Sequence, residues 1–130
     1  MSNVDYDIII IGAGTAGLTA AIYGVRSGKS VLLIEEKMYG GQIINTPEVE
    51  NYPGIESISG ASFATNLYHQ AKGLGAEYMT ARVKKIEDCG STKKVVTNEN
   101  SYMAGAVIIA TGAKNRSLNL PNEKEMIGKG

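Results

Sequence analysis

Residues 6–17 read YDIIIIGAGTAG, and this stretch decides the fold. The four isoleucines at 8–11 show no polar alternation, which is typical of a parallel strand that is covered on both faces. The glycines that follow fit the pattern G-x-G-x-x-G, and apolar residues at helical spacing continue towards Gly28. A second apolar run at 30–35 predicts another strand, so residues 6–35 have the order of a βαβ unit.

The glycines of this stretch indicate a site for a dinucleotide. Gly12 permits the tight turn, Gly14 lets the backbone approach a diphosphate, and Gly17 lets the helix press against the sheet. The helix N-terminus offers unpaired N–H groups and a positive dipole end to phosphates. Glu35, at the end of the second strand, is placed to accept hydrogen bonds from a ribose diol, and Glu36 is the competing carboxylate. Because a carboxylate repels a 2′-phosphate, the pattern favours NAD or FAD over NADP and leaves the choice between NAD and FAD open.

The rest of the chain extends this α/β prediction. Residues 38–59 form a long loop, and an apolar stripe predicts a helix over 60–74. Short segments between 77 and 103 predict a small antiparallel meander. Residues 106–110 predict a last buried strand, whose end would lie at the carboxyl edge of the sheet, where ligands of open α/β folds bind. The expected fold is Rossmann-like, with helices on one face of a parallel sheet and the meander on the other.

The composition excludes several functions. The 130 residues carry 13 basic and 13 acidic side chains, which argues against nucleic-acid binding and against a polybasic membrane-surface protein. No apolar run is long enough to span a bilayer, and residues 1–5 lack the basic start of a secretory signal, so a cytoplasmic location is expected. Cys89 is the one cysteine, which rules out an internal disulfide, a dithiol pair and a Cys₄ zinc site; we expect no metal site.

Five stretches of the sequence carry a resemblance to a known family. They are residues 8–17, Val31–Glu35, 40–42 (GGQ), 46–54 (TPEVENYPG) and 107–113. In this order they are similar to the N-terminal segment of bacterial-type, low-molecular-weight thioredoxin reductases, which are flavoproteins among the pyridine-nucleotide disulfide oxidoreductases. The GGQ and VENYPG motifs are much more specific than the glycine fingerprint, which many enzymes share.

The resemblance implies that the dinucleotide at this site is FAD. By position, Glu35 would bind the adenosine ribose and the backbone of Val83 would meet the adenine. The stretches around Gly41 and Asn51 would lie along the flavin end. With the fingerprint included, the candidate cofactor-binding residues are Gly12, Ala13, Gly14, Thr15, Ala16, Gly17, Glu35, Glu36, Gly41, Gln42, Thr46, Asn51, Val83, Ala110, Thr111 and Gly112. No catalytic residue is assigned.

The chain departs from the family in extent. Family members carry a second glycine fingerprint, for NADPH, and a C-x-x-C dithiol, and this sequence has neither. We therefore expect residues 1–115 to be the N-terminal part of a FAD-binding domain and residues 116–130 to be a linker towards a missing NADPH domain. The resemblance implies a parent enzyme that reduces thioredoxin with NADPH and a fragment that is inactive alone.

The truncation also bears on association and on the alternatives. An incomplete domain should expose apolar surface, so we expect a homodimer or a larger oligomer, and pairing of strand edges is one route to it. Two other functions stay open. One is a ferredoxin–NADP reductase of thioredoxin-reductase type, and the other is a stand-alone dinucleotide-binding module without turnover.

Overall fold

A computed structural model describes residues 3–129 of the chain. Met1, Ser2 and Gly130, which belong to the predicted start of the chain and to the predicted linker, lie outside the described residues. The elements are β1 (Tyr6–Ile11), α1 (Thr15–Arg26), β2 (Val31–Glu35), a 3₁₀ helix (Gly41–Asn45), α2 (Gly60–Leu74), β3 (Glu77–Thr80), β4 (Val83–Asp88), β5 (Lys93–Thr97), β6 (Ser101–Ile109) and the single turn α3 (Glu123–Met126).

The strands form one six-stranded sheet with the order β3-β2-β1-β6-β5-β4. The first four strands in this order are parallel, and β1 at their centre pairs Ile8 with Val31 of β2 and with Ala106 of β6. β5 and β4 continue the sheet in antiparallel fashion beyond β6. The predicted βαβ unit is confirmed, because α1 connects two parallel neighbours.

The two faces of the sheet are covered by different layers, as the sequence predicts. On one face Ile10 and Leu33 pack with Leu18 of α1, and α2 lies beside α1. On the other face Ile9 and Leu32 pack with Val95 of the meander. Because both faces are buried, β1 and β2 need apolar side chains at every central position, which explains the unbroken isoleucine run.

β6 corrects two predictions. The segments around Tyr102 and 106–110 are not separate strands but one strand of nine residues, in which Ala104 pairs with β1 and with β5 at once. The meander is thus hydrogen-bonded into the main sheet. The predicted burial of 106–110 is also wrong, since Ile109 is 68 % exposed. Beyond Ala104 the strand pairs only with β1 among the described residues, so its other edge faces solvent.

The helix ends follow the local sequence. The Oγ of Ser59 accepts a hydrogen bond from the N–H of Ser62 and caps the start of α2, and Gly75 ends this helix in the left-handed conformation. From Thr111 to the end of the described chain almost every residue is exposed. Nowhere in residues 3–129 does a helix combine the length and the apolar character that crossing a membrane requires.

Candidate nucleotide-binding site

The carboxyl ends of three parallel strands meet at one edge of the sheet. The N–H of Gly12 donates to the carbonyl of Ile34 in β2 (2.8 Å), and the N–H of Ala110 donates to the carbonyl of Ile11 (2.8 Å). The first bond holds the turn after β1 against β2, and the second holds the residue after β6 against the end of β1. The structure therefore places the glycine fingerprint next to the predicted segment 110–112.

A hollow of about 150 Å³ opens at this edge. Five of the candidate residues line it, together with apolar residues of β1 and β2 and the small Ala81. The lining is Ile11, Gly12, Ile34, Glu35, Glu36, Ala81, Val83 and Thr111. The meander contributes one wall through Val83, the first residue of β4, although about half of the chain lies between β4 and the fingerprint. The hollow has an apolar floor with two carboxylates beside it, which suits a nucleoside with a hydroxylated sugar.

The two neighbouring carboxylates have different surroundings. Glu35 is half-buried, and its two oxygens accept hydrogen bonds from the N–H of Ala13 (3.1 Å) and from the N–H of Lys37 (3.0 Å). Glu36 is exposed, and its nearest cation is the Nε of Arg82 at 3.9 Å. The Glu35 carboxylate is thus fixed against the fingerprint, whereas an exposed pair such as Glu36 and Arg82 contributes little to stability.

The N-terminus of α1 points at the same edge with no acid in its first turn. Gly14 is the N-cap, and no side chain of residues 3–129 caps the helix there. Gly17 explains how the helix comes so close: a Cβ at this position would lie 1.8 Å from the carbonyl oxygen of Gly12. The free N–H groups and the dipole of the first turn can therefore receive an anion.

Position 12 requires a glycine for two reasons, its backbone conformation and its close contact with the segment after β6. Its φ is +102°, and a Cβ on it would lie 2.2 Å from the carbonyl oxygen of Ala110. Ala110 thus acts as a packing partner of the turn, while the next residue, Thr111, reaches the hollow. Gly112 also has a positive φ, but nothing lies within 4 Å of where its Cβ would be.

Gly40 belongs to the site and was not among the sequence candidates. Its N–H donates to the carbonyl of Ala13 (2.8 Å), and it forms a bridge with Gly14. Gly41 follows with a φ of +66°, and a Cβ on it would lie 3.2 Å from the Cα of Gly14. The sequence signal that could have found Gly40 is the glycine pair at positions 40 and 41. The need for a glycine at the first of the two positions becomes visible only when the loop is packed against the fingerprint.

Thr15 and Ala16 are the first two residues of α1, and the three remaining candidates lie further along the loop. Gln42 donates from its side-chain amide to the carbonyl of Ala113, which ties the 3₁₀ helix to the segment after β6. Thr46 follows this helix, and its carbonyl accepts from the N–H of Gly60 (2.9 Å) at the start of α2. Asn51 is exposed and lines a separate open depression formed by residues 50–56. The structure therefore does not bring Thr46 and Asn51 into the hollow beside Gly12.

Among residues 3–129 the remaining chemically active side chains do not form a second site. Cys89 is an exposed free thiol in the turn between β4 and β5. His69 is exposed on α2. Within residues 3–129 no three His, Cys, Asp or Glu side chains come together in a way that could hold a metal ion.

A parallel sheet with a glycine turn, an open helix N-terminus and a carboxylate after the second strand defines a dinucleotide-binding domain of the Rossmann type. The chain belongs to the pyridine nucleotide-disulphide oxidoreductase family, whose model matches residues 6–130. The family resemblance and the Rossmann-like fold that the sequence predicts are confirmed.

Within this family the chain is similar to bacterial thioredoxin reductases. It is 47% identical over 125 residues to the thioredoxin reductase of Bacillus subtilis, a match that covers 96% of this chain and 40% of that protein. The crystal structure of the thioredoxin reductase from Streptococcus pyogenes superposes with a TM-score of 0.87 at 47% identity, over 96% of this chain and 41% of that one. The Lactococcus lactis thioredoxin reductase gives 0.87 at 44% identity, over 97% and 42%. The chain thus spans about 40% of the length of these relatives.

Proposed function

We propose that this chain binds FAD through the carboxyl edge of its parallel sheet. One observation carries the proposal: the uncapped N-terminus of α1, the Glu35 carboxylate and the hollow beside Gly12 lie next to one another. A dinucleotide needs these three environments, one for the diphosphate, one for the ribose diol and one for the base. The choice of FAD is supported by the family, whose thioredoxin reductases depend on FAD and use NADPH.

Different residues are proposed to bind different parts of the cofactor. The N–H groups after Gly14 receive the diphosphate, and Glu35 accepts hydrogen bonds from the adenosine ribose while it keeps the turn in place through Ala13. The backbone of Val83 and the side of Thr111 enclose the adenosine part. Gly41 and Gln42 lie towards the flavin end, and Thr46 and Asn51 are proposed further along that side. The flavin supplies the hydride chemistry, and this chain positions it.

The larger function proposed is that of a thioredoxin reductase. The similarity to enzymes of that name over about 40% of their length supports a parent protein that transfers electrons from NADPH through FAD to a thioredoxin disulfide. Residues 116–130 would then lead into the NADPH-binding part. The chain itself has one cysteine and one glycine fingerprint, so it has no dithiol pair to receive the electrons. The cytoplasmic location expected from the sequence stays a prediction.

Gly14 offers a variant that separates binding from folding. Its φ is −76°, and a Cβ on it would meet nothing closer than the Cα of Gly41 at 3.8 Å, so Gly14→Ala is compatible with the folded chain. The added methyl group would nevertheless occupy the face of the turn that a diphosphate has to approach. The matched control is Gly73→Ala in α2, where nothing lies within 4 Å.

The test is isothermal titration calorimetry of the purified full chain with FAD, NAD⁺ and NADP⁺. We expect FAD to bind most tightly, Gly14→Ala to lose at least about tenfold in affinity at nearly unchanged melting temperature, and Gly73→Ala to bind as the natural chain does. If no dinucleotide binds, or if Gly14→Ala binds FAD as well as the natural chain, the proposal is wrong. A clear preference for NAD⁺ would instead favour a stand-alone nicotinamide-binding module.

We also propose that the isolated chain self-associates through the open edge of β6. Residues 105–109 of β6 pair only with β1, so their other main-chain groups have no strand partner among the described residues. This stretch, GAVII, contains neither a charge nor a proline, the two features that usually protect an edge, and Ile109 is 68 % exposed. A second copy, paired edge to edge, would satisfy these groups and cover the isoleucines.

Light scattering and sedimentation of the natural chain and of Ile109→Lys test this interface. We expect concentration-dependent dimers or larger oligomers, and a shift towards monomer in the variant, because a charged side chain on an edge strand opposes edge pairing. Tyr23→Lys is the control, since Tyr23 is equally exposed (67 %) but lies on α1. A natural chain that stays monomeric, or equal association of both variants, would refute the β6 interface.

A further inference from the structure

Three tyrosines from three different elements form an aromatic cluster on the helix side of the sheet. Tyr39, in the loop after β2, stacks on Tyr68 of α2 with ring centroids 4.0 Å apart and ring planes 6° from parallel. Tyr78 of β3 meets Tyr68 edge-on at 5.3 Å and Tyr39 edge-on at 6.4 Å. All three are half-buried and pack against the core on that face. Burial is the main cause that raises the pKa of Tyr78.

The cluster holds the residue that directly precedes the glycine pair of the site. Gly40 donates its N–H to Ala13 and bridges Gly14, so the path of the chain at Tyr39 decides how this pair meets the fingerprint. Gly40 and Gly41 both have a positive φ. Two successive glycines have more backbone freedom than any other pair, so their position depends on what anchors the chain on either side.

The two anchors are unequal. After the pair, the 3₁₀ helix packs on α2. Ile44 of this 3₁₀ helix also lies close to Gly40. Before the pair, residues 36–38 are exposed, and Tyr39 is the first side chain with a substantial packing surface. None of the three tyrosines lines the hollow beside Gly12. The cluster can therefore act on a bound nucleotide through the glycine pair.

We propose that Tyr39 is a positioning residue: its stack on Tyr68 fixes the turn at Gly40 and Gly41 against Gly14 and so pre-forms the dinucleotide site. The effect on affinity rests on the proposed function, but the effect on the turn does not. Pre-organisation lowers the ordering cost of binding, so a loosened turn weakens affinity without the loss of any contact to the ligand.

Amide hydrogen exchange on the cofactor-free full chain tests the turn directly. The variants are Tyr39→Leu, which removes the stack, Tyr39→Phe, which keeps it, and Tyr102→Leu as the matched control. Tyr102 forms an edge-on pair with Tyr6 at 6.5 Å on the opposite face of the sheet. Exchange at Gly40 is compared with exchange at Leu33, a fully buried residue of β2, which reports global opening.

We expect Tyr39→Leu to accelerate exchange at Gly40 relative to Leu33 by about two- to tenfold, the worth of one aromatic pair. Tyr39→Phe and Tyr102→Leu should leave this ratio unchanged. Tyr78→Leu, which leaves the stack of Tyr39 on Tyr68 in place, should give a smaller acceleration and replaces Tyr39→Leu if that variant does not fold. An unchanged ratio in the folded Tyr39 or Tyr78 variant, or the same increase in Tyr102→Leu, would overturn the proposal.

Affinity for FAD is the second measurement. Tyr39→Leu should weaken FAD binding by a similar factor, with recovery in Tyr39→Phe and no change in Tyr102→Leu. If the natural chain binds no FAD, the proposed function fails, and the exchange ratio still decides whether Tyr39 positions the turn. If FAD binds equally to all four proteins, the cluster only stabilises the fold and the proposal is wrong.

Discussion

Replacement of Gly17 by alanine tests the packing of α1 on the sheet, which the nucleotide site requires. Two effects oppose each other at this position. Alanine is favoured over glycine inside a helix by about 0.5–1 kcal/mol, so propensity alone predicts a more stable protein. The structure predicts the opposite, because the new Cβ would lie 1.8 Å from the carbonyl oxygen of Gly12 and 2.9 Å from its carbon.

The magnitude follows from what has to move. The obstacle is backbone in the turn after β1, so the helix must retreat by roughly 1 Å or more, and a close-packed interior resists such shifts. Overpacking of this kind usually costs about 1–3 kcal/mol, and a clash with rigid backbone belongs at the upper end. After the propensity gain is subtracted, we expect Gly17→Ala to lose about 2 kcal/mol in free energy of unfolding.

A series of three glycines turns this reasoning into a comparison. At Gly73 nothing lies within 4 Å, so alanine should stabilise the chain by up to about 1 kcal/mol. At Gly24 the closest atom is the Cγ2 of Val31 at 2.8 Å, which belongs to a side chain and not to backbone, so the effect should be intermediate. Urea unfolding followed by circular dichroism gives the order directly. If Gly17→Ala is as stable as the natural chain, or if Gly24→Ala costs more, the packing argument is refuted.

Three further predictions concern other parts of the chain. Glu35→Ala should lower the free energy of unfolding by about 1–3 kcal/mol in urea titrations, because the buried N–H of Ala13 loses its acceptor, with partial recovery in Glu35→Gln. The hydrogen bond that Tyr6 donates to Glu77 raises the pKa of Tyr6 from 10.0 to about 12. The stabilisation of the fold by this bond should therefore be full below pH 10 and disappear as the pH rises through 12. In a plot of the free energy of unfolding against pH, Tyr6→Phe should remove this decrease, whereas Tyr23→Phe should keep it. The FAD-loaded chain should show no turnover with NADPH and a disulfide substrate. Measurable reduction of the disulfide would contradict the proposal that this chain only binds and positions the cofactor.

Prediction from the sequence worked best where the signal is local. In β1, α1 and β2 the change of period from unbroken apolar to helical spacing, together with the three glycines, gives the element order. Glu35 is found because it ends an apolar run. These features depend on a few neighbouring residues, and the structure keeps them without change.

Prediction was weaker where distant segments meet. The burial of residues 106–110 was overestimated because an apolar run reports that a strand forms and not how many neighbours it has. Gly40 was missed because its reason lies in contacts with Ala13 and Gly14, more than twenty residues earlier in the chain. Asn51 belongs to a specific motif, yet that motif says nothing about how far it lies from the hollow.

The sequence by itself determined the βαβ start, the glycine turn and the family, because sterics and periodicity act between residues that are close in the chain. Only the tertiary structure decided which of the candidate residues share a hollow with Gly12, that β6 joins two sheet regions with one open edge, and that three tyrosines from separate segments pack together beside the glycine pair. The physical reason is that each of these depends on strand pairing and side-chain packing between segments far apart in sequence, which no local pattern records.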